Sequence, residues 1–179
     1  PGDIGGGGEG WATAHLALVA PGATGGSWYP HSFLAPIEQN EPWLSAALAT
    51  VGAALARVEA AGVPAERTVL LGFSQGACLA TEYAARNARR YGGLAALSGG
   101  LIGPDGTPRD YPGSLDGTPV FLGCSDVDFH IPKERVIESA AVLRELGGEI
   151  TMRLYPNMGH TVNEDEIQFA NEMMRTVLK

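Results

Sequence analysis

The sequence predicts an α/β fold built on a mostly parallel sheet with helices on both faces. Three observations carry that expectation. Short apolar, β-branched segments alternate along the chain with longer Ala- and Leu-rich segments of helical character. The stretch Gly72-Phe73-Ser74-Gln75-Gly76 places G-x-S-x-G between one such strand and one such helix. The 179 residues suffice for a single domain with a full core, and 45% apolar with 18% charged residues is ordinary for a globular chain.

The elements follow in order. His15 to Ala20 reads as a strand, and Pro21 to Pro42 as a long loop rich in Gly, Pro and aromatic residues. Trp43 to Ala61 reads as a helix, closed by Gly62 and followed by Pro64. Arg67 to Leu71 is a buried strand, and Gln75 to Arg90 an Ala-rich helix. A short strand at Gly93 to Leu97 leads into a Pro/Gly-rich loop that runs through Gly117. Pro119 to Gly123 is the next strand. Pro132 then opens a helix as a first-turn proline, Gly147 ends it, and Val136, Ala140 and Leu143 share its apolar face. Glu149 to Tyr155 alternates as a strand, and Asn163 with Glu166 forms a capping box for a final helix. Neither repeats nor an interior linker interrupt this order, so residues 1–179 are expected to form one domain. Residues 1–10 hold six glycines and no core-forming pattern, which predicts a flexible segment.

Composition narrows the partners. A net charge of −8 argues against nucleic acid and against an anionic membrane surface. No apolar run approaches the length of a membrane span and the first residues do not read as a signal peptide, so stable membrane insertion is not expected. A homodimer stays open. Two cysteines, Cys78 and Cys124, imply reduced core thiols in a cytoplasmic protein rather than a disulfide framework. No His/Cys/Asp set shows ligand spacing, so neither a metal nor another cofactor is expected.

The chemistry is expected at the strand-to-helix turn. A serine on a sharp turn, with small residues at both glycine positions, presents its Oγ above the sheet. The N-terminus of the following helix lies beneath it, and the backbone N–H of Gln75 is placed to stabilise an oxyanion. A serine hydroxyl needs a histidine to take its proton and an acid to orient that histidine. On a sheet of this type these partners lie on later strand-end loops, acid first and histidine second. The loop Cys124 to Pro132 offers Asp126 and Asp128, which compete for the acid's place. The loop Pro156 to Thr161 offers His160 as the base. His15 opens an early strand, His31 precedes the serine, and His130 lies too close to the acids to fill a separate slot.

With these residues assembled, the chain resembles the phospholipase/carboxylesterase family of α/β-hydrolases, which includes bacterial carboxylesterases and acyl-protein thioesterases. The resemblance runs from about Leu16 to the C-terminus. It is carried by Ser27-Trp28-Tyr29-Pro30, Leu71 to Ala77, Leu97-Ser98-Gly99-Gly100, Asp128-Phe129-His130-Ile131-Pro132 and Gly159-His160. It implies an α/β-hydrolase fold with Ser74 as nucleophile, His160 as base and Asp128, four residues before the proline, as acid. It implies a serine carboxylesterase acting on small to medium acyl esters, thioesters or lysophospholipids through an acyl-enzyme.

The aromatic loop Gly22 to Pro36, with Leu101, Phe129 and Met158, is expected to wall an apolar acyl pocket, and Trp28, Met158 and Phe129 are the expected substrate contacts. No long apolar insertion forms a lid. The family's N-terminal strand, ending in a His-Gly loop that supplies a second oxyanion donor, has no counterpart here. The natural product is therefore expected to extend beyond Pro1 by that strand and loop. Two alternatives remain: a hydrolase fold kept as a binding protein, which the missing donor favours, and a dienelactone-hydrolase-like enzyme, which Ser74 in place of a cysteine opposes.

Overall fold

The computed structural model describes residues 16–179. Its elements are α1 (Trp43–Ala60), β1 (Val69–Phe73), α2 (Gln75–Arg86), β2 (Gly93–Leu97), β3 (Pro119–Ser125), α3 (Lys133–Glu145), β4 (Glu149–Tyr155) and α4 (Glu164–Thr176). The four strands form one wholly parallel sheet in the order β1-β2-β3-β4. Parallel neighbours need crossovers, which α2, α3 and the long segment between β2 and β3 supply.

Strand side chains alternate between two cores. Leu70, Leu94, Ala96, Val120 and Leu122 face the layer that holds α1, α2 and α3. Ala95, Leu97 and Phe121 face the opposite way, against Ala170 and Met173 of α4. Burial on both faces explains why β2 is a continuous apolar run of small and branched residues. The result is the α/β architecture expected, with helices on both faces.

The parallel register aligns the strand ends. Phe73 pairs with Leu97, Leu97 with Gly123, and Ser125 with Tyr155. The segments that leave these ends therefore begin side by side, and they carry Ser74, Asp126, Asp128 and His160.

Some details differ from expectation. Residues 16–20 make no ladder with any described residue; Leu18 is 65% and Val19 52% exposed. A β-prone sequence becomes a strand only where a partner backbone meets it. His15 and the glycine-rich residues 1–10 lie outside the described residues. Helix α2 stops at Arg86 rather than Arg90, because Asn87 leaves helical geometry and turns its amide back onto the Tyr83 carbonyl. Pro132 stands one place before the first helical residue, as the N-cap of α3. By length and composition alone, α1 is long and apolar enough to cross a membrane, contrary to the expectation that no segment approaches a span. In the fold its Leu44, Ala47, Leu48 and Leu55 are buried in the larger core.

Candidate active site

Ser74 occupies the sharp turn between β1 and α2. Its backbone lies at φ +55° and ψ −121°, a conformation that costs a non-glycine residue roughly 1–3 kcal/mol. The turn is held by Ser74 N–H to the Leu97 carbonyl at 2.9 Å and by Cys78 N–H to the Ser74 carbonyl at 3.0 Å. The two glycines of the motif do different work. A Cβ at position 72 would collide with the Gly76 backbone, whereas one at position 76 would meet nothing within 4 Å. The steric demand thus falls on the first glycine, because the helix start passes directly over it.

His160 Nε2 lies 2.8 Å from Ser74 Oγ, and its Nδ1 lies 2.7 Å from Asp128 Oδ2. The carboxylate of Asp128 is buried. Its other oxygen, Oδ1, accepts the backbone N–H groups of His130 at 2.8 Å and Ile131 at 3.0 Å. Burial alone would raise this carboxyl's pKa, but the hydrogen bond to His160 and the two backbone donors outweigh it and hold the group below the usual carboxylate range. Asp128 is therefore anionic when it faces the imidazole, with Nδ1 carrying the proton toward it.

Asp126 stands elsewhere. Its Oδ1 accepts the Asn157 N–H at 2.8 Å, and Ser125 Oγ accepts the Gly159 N–H at 3.0 Å. These two contacts pin the loop that carries His160, and Asn157 and Gly159 both adopt positive φ within it. The imidazole is flanked by the ring of Phe73 at 5.0 Å and that of His130 at 4.7 Å between centroids.

Gln75, first residue of α2, has a backbone N–H without an intrahelical partner, next to Ser74. Its side chain bolts down the loop opposite: Oε1 accepts the Trp28 N–H at 2.7 Å and Nε2 donates to the Tyr29 carbonyl at 2.9 Å. Buried Asn40 does the same further along, accepting from His31 N–H and donating to the Ser32 carbonyl. Two side-chain amides thus fix the segment from Trp28 to Ser32 over Ser74.

A cavity of about 450 Å³ opens beside Ser74. Residues 29 and 31–33 form one wall, Gln75 and Cys78 lie along the start of α2, and His130 with Ile131 stands beside His160. None of Trp28, Phe129 and Met158 belongs to this wall. Trp28 packs against the core and Phe129 is 84% exposed, with its ring against His130. Met158 lies with its sulfur 2.9 Å from the Asn163 amide. Leu101, also expected on the wall, is fully buried.

Residues 29 and 31–33 belong to the aromatic loop expected on the wall; the cavity residues that sequence reasoning passed over are Cys78, His130 and Ile131. Two of them carried a readable signal. Cys78 is one helical turn beyond Ser74, and His130 is in the Asp128 loop itself.

This arrangement can take a proton from a hydroxyl, hold the resulting imidazolium and stabilise charge beside the N-terminus of α2. Comparison with known proteins gives the arrangement its relatives. A family profile described as Phospholipase/Carboxylesterase matches residues 13–178. A phospholipase/carboxylesterase structure from Dyadobacter fermentans is 47% identical, with a TM-score of 0.81, and the match covers 87% of this chain and 73% of that one. An acyl-protein thioesterase 1 from Gibberella zeae is 32% identical over 120 residues, covering 65% of this chain and 51% of the relative. The carboxylesterase SOBER1 of Arabidopsis thaliana is 24% identical over 163 residues, covering 88% of this chain and 71% of its own length. The chain spans about half the length of the acyl-protein thioesterases it matches.

Proposed function

The chain belongs to the phospholipase/carboxylesterase family, and from that premise we propose that it is a serine hydrolase that cleaves small to medium acyl esters through an acyl-enzyme. The observation that carries this reading is the unbroken relay from Ser74 Oγ through His160 to Asp128, with contacts of 2.8 and 2.7 Å. The names of its relatives make thioesters the second substrate class to try.

The steps follow from the geometry. His160 Nε2 takes the Ser74 proton as Oγ attacks the ester carbonyl, and Asp128 holds the imidazole in the needed tautomer and stabilises its positive charge. The carbonyl oxygen becomes an oxyanion against the Gln75 N–H; one such donor typically lowers the barrier by about 2.7–4 kcal/mol. His160 then gives its proton to the departing alcohol. Water, deprotonated by the same nitrogen, releases the acid and restores Ser74. Phe73 and His130 on either side of the ring limit its tilt.

The two core clusters lie on opposite faces of one sheet, and the chain acts as one hydrolase domain in this reading. Cys78 and Cys124 are free and buried, as befits a reducing, cytoplasmic setting.

The experiment is covalent. A fluorophosphonate should add once, to Ser74, as mapped by peptide mass. Ser74→Ala should lose both labelling and ester hydrolysis while its thermal midpoint stays within about 2 °C of the parent, as for a small change outside the core. Label on another residue, or full hydrolysis by the variant, refutes the proposal. A folded protein that neither labels nor hydrolyses would be a hydrolase fold kept for binding.

A further inference from the structure

The cavity beside Ser74 has an unusual charge character for this protein. The chain carries 20 acidic residues against 12 lysines and arginines, yet among the described residues no Asp, Glu, Lys or Arg side chain contributes to the wall. His31 and His130 do, alongside His160. His31 and Ser32 stand on the segment whose backbone Asn40 fixes.

Two helices also begin here. The start of α2 at Gln75 lines the cavity, and α3 starts two residues after Ile131. The N-cap residue of α2 offers no side chain to the helix's free N–H groups and its first turn holds no acidic residue, so this positive helix end stays uncompensated, whereas the first turn of α3 carries Glu134. The floor is formed by Tyr29 and Cys78, both buried. The Tyr29 hydroxyl has no hydrogen-bond partner among the described residues. Burial pushes the Cys78 thiol up to about 12 and the Tyr29 phenol well above its ordinary value, so both stay neutral at physiological pH. Lys133 follows on the first turn of α3. The carboxylate of Asp128 has its oxygens engaged by His160 and by the His130 and Ile131 N–H groups.

We propose that this cavity receives a carboxylate carried by the substrate: the preferred ester is a hemiester of a short dicarboxylic acid, its free carboxylate held against His130 and His31 while its ester carbonyl lies at Ser74. The proposal rests on the esterase reading above and deepens it. A histidine-lined pocket with the uncompensated start of α2 at its edge desolvates a carboxylate at less cost than an apolar pocket would, because donors replace the water it loses. The overall charge of −8 opposes such a substrate at long range. That field is screened over a Debye length of about 8 Å at physiological ionic strength, whereas donors in the cavity act in contact. Hydrolysis adds one water across the ester bond and yields the dicarboxylate and an alcohol.

The test compares monoethyl succinate with ethyl levulinate, a neutral ester of nearly the same shape with a methyl ketone in place of the carboxylate. Both are followed by product formation on the full chain at constant ionic strength, from pH 6 to pH 8. The expected kcat/KM ratio favours the hemiester about tenfold, as one hydrogen bond to a charged group allows. His130→Gln and, independently, His31→Gln should each bring the ratio toward one. Succinate should also shift the histidine ring proton resonances of the Ser74→Ala protein, an outcome that does not depend on turnover. A ratio at or below one across the range, with ethyl levulinate still cleaved at Ser74, overturns the hemiester proposal and leaves the esterase reading intact. So does a preference that survives both histidine variants unchanged. Failure to cleave either ester, together with no fluorophosphonate label on Ser74, overturns both.

Discussion

Glu166 gives a stability prediction that needs no substrate. It is the third residue of α4 and half of the capping box, taking the Asn163 N–H on Oε2 while the Asn163 side chain takes the Glu166 N–H. Its other oxygen is buried without a partner, over Gly123, where an added Cβ would strike it. Burial, reinforced by neighbouring Asp165 and only partly offset by the Asn163 N–H, pushes this carboxyl from its ordinary 4.5 to about 7. The sign follows from linkage. Below pH 4.5 both folded and unfolded chains hold the proton, and the contribution is fully present. Between 4.5 and about 7 the folded chain binds more protons, so stability falls as pH rises, and above that the loss is complete. At about 1.4 kcal/mol per pKa unit, the loss by pH 8 is on the order of 3 kcal/mol.

Glu166→Gln keeps the shape and the capping acceptor but removes the charge. Its amide N–H₂ inherits the unpartnered position, which costs about 1–3 kcal/mol at every pH. The variant should therefore match or fall below the parent at pH 5 and gain on it toward pH 8, where the two terms leave it ahead by up to about 2 kcal/mol. For a chain of this size that is a rise of up to roughly 8 °C in Tm. Denaturant unfolding at pH 5, 6, 7 and 8, extrapolated linearly, measures it. If the difference between parent and variant stays constant across that range, the buried carboxyl does not titrate with folding and the reasoning fails.

Four further substitutions probe the elbow and its partners. Gly72→Ala should destabilise by about 3 kcal/mol, because its Cβ meets rigid backbone at Gly76. Gly76→Ala, whose Cβ meets nothing, should be neutral or stabilising by up to about 1 kcal/mol, as Gly→Ala in a helix generally is; equal losses from both in chemical denaturation would refute the asymmetry. Asp128→Asn should lower kcat by about four orders of magnitude by favouring the wrong imidazole tautomer. Asp126→Asn, which touches only the loop backbone, should act through loop position and cost far less; a reversed ranking in steady-state kinetics would exchange the two assignments.

Much of the fold was readable because the sheet is parallel. Strands buried on both faces spell continuous apolar runs, and the helices between them end at Gly62 and Gly147, which both adopt positive φ. The nucleophile turn was readable from its glycines, although only the folded chain separates the first, sterically required, from the second. Two parts were not readable. Leu16 to Ala20 has the composition of a strand, but pairing depends on a partner backbone that composition does not encode. The cavity wall was drawn from the largest apolar side chains, yet Leu101 is buried and Phe129 points to solvent, while the wall is partly polar. Which side of a loop faces a cavity depends on anchors such as Gln75 and Asn40, and these bond to backbone atoms that leave no mark on the partner's sequence.

Those anchors also explain why chemistry and selectivity are separable in this fold. The relay is held from below by contacts made with or without substrate: the Leu97 carbonyl on Ser74, two backbone N–H groups on Asp128, and Ser125 and Asp126 on the His160 loop. The opposing wall hangs from two amides, and one of them belongs to the residue next to the nucleophile. In the proposed reading Gln75 therefore serves both halves, its backbone N–H donating to the oxyanion and its side chain holding the loop that shapes the cavity. A change at His31 or Ser32 alters what the cavity accepts and leaves the distances at Ser74 alone. A change in the Gln75 side chain releases the wall while its backbone donor stays in place, because α2 fixes that N–H whatever the side chain. Gln75→Ala should accordingly raise KM more than it lowers kcat, and the reverse split would mean that the loop, rather than the helix, positions the reacting ester.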